Sequence, residues 1–184
     1  PKAADPALFS LAHDNNYLEW LNQQSPQSGN RQLDGDTSIN PFSLQAASLA
    51  VGAVIEAING VMSEQYNAAF CATRPPGHHA ESTRAMGFCL YNQIAIGAKY
   101  ALEQHGLKRV AIIDFDVHHG NGTQEIVAGD DRILYCSSFQ HPLYPYSGIE
   151  AAPGNIINNP LPAGADGKAL KQLVETIWLP ALRD

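Results

Sequence analysis

With 184 residues and 45% hydrophobic content, the sequence is long enough for one buried core and too short for two. Only 16% of its residues are charged, against a globular average of roughly 25%, which fits apolar helices laid over buried strands. The net charge is −7 with no Lys/Arg cluster, so the sequence carries no electrostatic footprint for a nucleic-acid backbone.

Cys71, Cys89 and Cys136 are isolated and lack zinc-knuckle spacing, which points to a reduced, cytoplasmic protein. No apolar run approaches the roughly 20 residues a bilayer span needs, and no signal-peptide pattern occurs, so no membrane partner is expected. The absent initiator Met and the abrupt end at Asp184 read as a processed or truncated piece.

In chain order, residues 5–24 are helical in parts, with Leu8, Leu11, Leu18 and Leu21 as apolar positions. Residues 25–40, rich in Gly, Ser, Asn, Asp and Gln, read as a long irregular loop, either a substrate rim or a contact in a homo-oligomer. Ser43 is placed as the cap of a strong Ala-rich helix over 44–62, apolar around much of its circumference. Residues 67–73 read as a short buried strand, and the following Arg74-Pro75-Pro76-Gly77-His78-His79 as a turn that the prolines bar from helix or central strand. A helix over 92–104, a strand over 109–115, a short helix over 123–128, a strand over 133–138 and a closing helix over 166–182 complete the pattern. Strands alternating with helices predict an α/β fold with a mainly parallel sheet and helices on both faces.

Residues 114–123 read Asp-Phe-Asp-Val-His-His-Gly-Asn-Gly-Thr, directly after an apolar strand. The C-terminal end of such a strand is where α/β proteins usually hold ligands. Asp116 and His118 are two apart, so in extended chain they project to one face and can converge on a metal ion. A carboxylate and an imidazole together suit zinc, manganese, nickel or iron better than calcium. His78-His79 follows a different predicted strand, and neighbouring parallel strands would bring the two turns into one cleft. The chemistry these groups suit is metal-assisted hydrolysis, with a histidine as general base and a carboxylate, such as Asp114, orienting it.

These motifs, with Gly87-Phe88-Cys89, Asn92, Leu33-Asp34-Gly35-Asp36-Thr37 and Tyr144-Pro145 before Gly148, resemble the zinc-dependent histone deacetylase family, which includes acetylpolyamine amidohydrolases and acetoin-utilisation proteins. Asn121 and Thr123-Gln124 are similar to its class II-like branch. The resemblance implies a three-layer arginase/deacetylase-like fold, with this chain as the N-terminal part of one catalytic domain. It implies zinc on Asp116 and His118, and proton handling by His78 and His79. Asp114 would orient His78, and Asn121 would sit behind His79 as a neutral partner. It further implies a substrate channel walled by Phe88 and Tyr144, with Asp36 at its rim. A structural potassium ion would rest on Ser137 and backbone carbonyls of Asp114, Asp116 and His118. The third zinc ligand and the oxyanion-stabilising Tyr or His are expected beyond Asp184.

The implied activity is hydrolysis of the acetyl amide of an acetyl-lysine or acetylpolyamine, whose cationic amine the acidic balance would favour. Two alternatives stand beside it. An arginase-like manganese hydrolase would need a second Asp where Gly120 stands. A deacetylase-like scaffold without chemistry would have no need of the four site residues together.

Overall fold

The computed structural model describes residues 1–183. A 3-10 turn, Pro6–Leu11, leads into helix α1, Asn15–Gln24, and each is capped by the aspartate just before it, Asp5 and Asp14. The stretch expected to be irregular contains a two-stranded antiparallel hairpin, β1 (Arg31–Gln32) and β2 (Ser38–Ile39). Asp34 closes it by accepting the Asp36 and Thr37 backbone N–H groups.

Helix α2 spans Ser43–Met62. Ser43 does not cap it in the manner expected. Asn40 accepts the Phe42 N–H at 2.8 Å, while the Ser43 hydroxyl accepts the Asn40 N–H at 2.9 Å, so the turn that starts the helix is set three residues earlier. By length and composition this helix is apolar enough to cross a membrane, which corrects the reading that no run approached that length. It packs instead against helix α3, Gln93–His105, burying Ala47, Ala50, Val51 and Val54.

The buried strand predicted at 67–73 is absent. The segment has no regular secondary structure and pairs with no strand among the described residues, and Phe70 is 93% exposed. Its strand-like composition is real, but a strand is stabilised only by a neighbour that pairs with it and covers it.

The sheet is parallel in the order β3 (Val110–Asp114), β4 (Ile133–Gln140), β5 (Ile156–Leu161). Helix α4, Asn121–Val127, makes the crossover from β3 to β4. Alternate residues of β4 serve two cores, as the period of two in a strand requires. Ile133 and Tyr135 join Ile112 and the α2–α3 side, whereas Leu134 and Cys136 pack with Leu173 and Trp178 on the opposite face. The second face is covered by α5, Gly167–Leu173, capped by Asp166 and continued through a π-type turn, Val174–Trp178. The result is three layers, helix on sheet on helix, with β3 at one edge.

The C-terminal ends of β3 and β4 place Asp114 beside Ser137 in register. A trough of about 750 Å³, lined by Val54, Ile58, Gly97, Ala101 and Ile113, runs along the outer edge of β3 and reaches Asp114 and Asp116.

Candidate active site

Two histidine turns meet at the end of β3, but not because two adjacent strands deliver them. The 78–79 turn follows an irregular segment and is held by polar braces. The Thr123 N–H donates to the His78 carbonyl at 3.0 Å, anchoring the turn to the first residues of α4. Asn92, fully buried, caps α3 through the Ala95 N–H and donates from Nδ2 to the Ala80 carbonyl and to Thr123 Oγ1. Ser82 gives both its N–H and its hydroxyl to the Glu125 carboxylate. The Asn92 bonds satisfy polar groups that burial would otherwise leave costly, whereas the Ser82–Glu125 pair lies at the surface.

Within this frame the two imidazoles have different partners. His78 Nδ1–H donates to Asp114 Oδ2 at 3.0 Å. Asp114 Oδ2 also accepts the Tyr135 hydroxyl at 3.0 Å, and its Oδ1 accepts the Asp116 N–H at 3.1 Å. Burial alone would lower the pKa of His78, but the Asp114 hydrogen bond and the charges of Asp114 and Asp116 outweigh it and raise it. Burial likewise would raise Asp114, and the bond and charge of His78 reverse that and hold it low. His79 Nδ1–H instead donates to the neutral Asn121 Oδ1 at 2.8 Å. Burial and the adjacent His78 lower His79 to about 4, against only a partial rise from Asn121. The rings of His78 and His79 lie 4.1 Å apart between centroids.

Asp116 and His118 sit beside this pair. His118 Nδ1 is 3.1 Å from Asp116 Oδ1, and His78 Nε2 is 3.9 Å from the same oxygen. A ring nitrogen and a carboxylate oxygen 3.1 Å apart are a donor pair of the kind that zinc, manganese, nickel or iron accepts. Among the described residues no group of three or more His, Cys, Asp or Glu side chains is arranged to hold a metal. The potassium expectation also meets a fitting observation. Ser137 Oγ is fully buried without a hydrogen-bond partner, on the strand position paired with Asp114.

The residues expected to bind substrate surround the imidazoles unevenly. Tyr144 stands edge-on to His79 at 5.2 Å between centroids and to His118 at 6.1 Å. Burial, then the Asp36 and Asp34 carboxylates, push its phenol up to about 12. Phe88 is 62% exposed, with φ of +66°. That conformation is strained for an aromatic residue and persists only where its surroundings enforce it. Here Thr37 Oγ1 accepts the Phe88 N–H at 3.0 Å, and Asp36 Oδ1 accepts the Gly87 N–H at 3.1 Å. Asp36 therefore fixes the turn that presents Phe88, a task the sequence did not suggest. Gly87 itself has φ of +55°, and a Cβ there would overlap the His79 ring.

Several residues of the site escaped sequence reasoning. Tyr135 is a second donor to Asp114. His119, buried, bridges Gln124 Oε1 and the Ser147 hydroxyl at 2.8 Å each and ties the β3 turn to the Tyr144 loop. Glu81 accepts Asn121 Nδ2–H at 2.7 Å. A signal existed for His119, as the fourth histidine of the two pairs. None existed for Glu81 or Tyr135, whose partners lie 40 and 21 residues away.

The family model described as the histone deacetylase domain matches residues 1–184. An uncharacterised protein of Synechocystis sp. is 44% identical over 97% of this chain and 59% of its own length. The histone deacetylase-like amidohydrolase of Pseudomonas aeruginosa is 39% identical over 99% of this chain and 49% of its own length. A solved HDA15 HD domain superposes with a TM-score of 0.88 at 31% identity, covering 98% of this chain and 53% of that one. The chain thus spans about half the length of the curated relatives it matches most fully.

Proposed function

Because the chain belongs to the histone deacetylase domain family, we propose that the full-length protein is a zinc-dependent deacetylase acting on acetyl-lysine or acetylpolyamine-type substrates. The observation that carries this reading is the geometry of two neighbouring imidazoles beside Asp116 and His118, one bonded through Nδ1 to the Asp114 carboxylate and the other to the neutral Asn121 amide. His79 is held neutral, with a pKa lowered to about 4, and His78 is biased toward its charged form by Asp114. Adjacent titratable groups driven apart in this way are the usual mark of an assigned base and acid.

Asp116 and His118 would hold the zinc ion, which when bound supplies Lewis acidity that polarises the acetyl carbonyl and acidifies water. His79, unprotonated at Nε2, takes the proton from the attacking water. His78, kept charged by Asp114, presents positive charge beside the developing negative charge, and a proton returns from the histidine pair to the leaving amine. Tyr144 and Phe88 guide the apolar stem of the acylated amine, and Asp36 holds the Phe88 turn at the rim. Ser137, with backbone carbonyls at the end of β3, would hold potassium beneath Asp114 and stiffen it.

The test is acetate release by the full-length protein from an acetyl-lysine peptide and from an acetylated polyamine, with elemental analysis of the same preparation. One zinc per chain, activity lost on chelation and restored by zinc, and loss with His79→Ala are expected. Two manganese ions per chain, or a fully active His79→Ala enzyme, would overturn the assignment.

A further inference from the structure

His79 touches no carboxylate, yet a carboxylate stands one hydrogen bond behind its partner. We propose that Glu81 is a positioning residue that acts through Asn121 to set the tautomer of His79, a role that rests on the deacetylase reading of the site.

An asparagine amide can face His79 in two ways, and only one leaves His79 able to act as a base. With Oδ1 toward the ring, Nδ1 must donate, so Nε2 keeps its lone pair. With the amide turned over, Nδ2 would donate to Nδ1, the ring proton would move to Nε2, and the base would be lost. Glu81 decides between them, because a carboxylate only accepts. Its Oε1 lies 2.7 Å from Asn121 Nδ2, and the second hydrogen of that group faces Met86 Sδ at 3.3 Å, another acceptor. Turning the amide over would set Oδ1 against both.

Glu81 is itself held through its N–H, its carbonyl and Oε1. Its N–H donates to the Arg84 carbonyl at 3.0 Å, and its own carbonyl accepts His13 Nδ1–H at 2.9 Å. The Arg84 guanidinium donates to the same Oε1 at 3.0 Å, and the side chain is 24% exposed. The chain therefore spends a buried histidine and an ion pair on orienting an acid that touches neither the metal ligands nor His79. The same arrangement explains why position 121 is an amide. An aspartate there would bring two carboxylates to hydrogen-bond distance without a proton to share.

The test uses the zinc-loaded full-length protein with Glu81→Ala, Glu81→Gln, Asn121→Asp and the exchange Glu81→Gln with Asn121→Asp. Glu81→Ala should lower kcat by roughly 10- to 100-fold with KM unchanged, the usual effect of removing an orienting partner. Glu81→Gln, which keeps an acceptor oxygen, should recover most of it. Histidine 15N NMR, with His79→Ala to assign the signal, should show His79 protonated at Nδ1 in the parent and protonated in part at Nε2 in Glu81→Ala. The exchange restores both hydrogen bonds and should exceed Asn121→Asp alone by at least about tenfold. An unchanged kcat and tautomer in Glu81→Ala would overturn the proposal. So would an exchange no better than Asn121→Asp, which decides the matter if Glu81→Ala does not fold. A parent that releases no acetate would sink the deacetylase reading alone, since the tautomer still reports on Glu81.

Discussion

The imidazoles show how far partners, rather than residue type, determine chemistry. His78 and His79 are neighbours with the same ring, and burial lowers both; the acid behind His78 outweighs that effect and the amide behind His79 does not, so the two move in opposite directions. His13 is a third case, used for stability. It is 4% exposed, donating from Nδ1 to the Glu81 carbonyl and accepting the Asn92 N–H at Nε2, 2.9 Å each. Burial lowers it to about 4 from the ordinary imidazole value of 6.5. The unfolded chain therefore binds more protons than the folded one between those values. The stabilisation is complete above about pH 6.5 and falls as pH drops toward 4, by up to roughly 3 kcal/mol. Urea midpoints of the parent should fall steeply from pH 7 to 4.5, whereas His13→Gln should start lower and fall less. Equal slopes would remove His13 as the cause. Ser137 allows a second check at this scale. With its buried hydroxyl unpartnered, the parent should melt higher in potassium than in sodium chloride of equal ionic strength, and Ser137→Ala should lose the difference.

At the scale of elements, the junction of β3 and α4 is where backbone and chemistry are least separable. Gly120 precedes α4, and a Cβ there would overlap both Asp114 Oδ2 and the Tyr135 hydroxyl oxygen, close to His78 Nδ1. Gly120→Ala should therefore displace Asp114 from His78 and lower kcat by about 100-fold or more, the scale of a misplaced catalytic group, with a smaller loss of thermal stability. A Gly120→Ala enzyme with parental kcat would show that the turn is not tightly coupled to the pair. The elements that the sequence made legible are those with a local cause. The helices α2, α3 and α4, the strands β3 and β4 and the Asp166 cap carry their periodicity or cap within a few residues. The hairpin β1–β2 was not legible, because two-residue strands depend on Asp34 folding back on Thr37 rather than on a pattern. The strand read at 67–73 failed for the converse reason: its composition suits a sheet, but pairing is a property of two segments. The candidate site divides along the same line. Asp114, Asp116, His118 and the 78–79 pair are readable from spacing, whereas Glu81, Tyr135 and the second role of Asp36 exist only through contacts across the fold.

Across the whole molecule, the two faces of β3 are treated unequally. Val110 and Ile112 join the core with α2 and α3, while Ile113 is 37% exposed, and beyond the strand Phe115 is 71% and Val117 51% exposed. Among the described residues no strand pairs with the outer edge of β3, and the apolar trough runs along that edge. A sheet edge with free backbone donors and acceptors beside apolar side chains is a template for adding another strand. Polypeptide 1–184 prepared alone should therefore self-associate, its weight-average mass rising with concentration in sedimentation equilibrium. Ile113→Lys combined with Phe115→Lys places charge on the uncovered face and beside the edge, the device by which natural edge strands resist pairing. That variant should sediment as a monomer over the same range. Polypeptide 1–184 that stays monomeric throughout, with the paired substitution changing nothing, would show that this edge is too short or too well solvated to recruit a second strand.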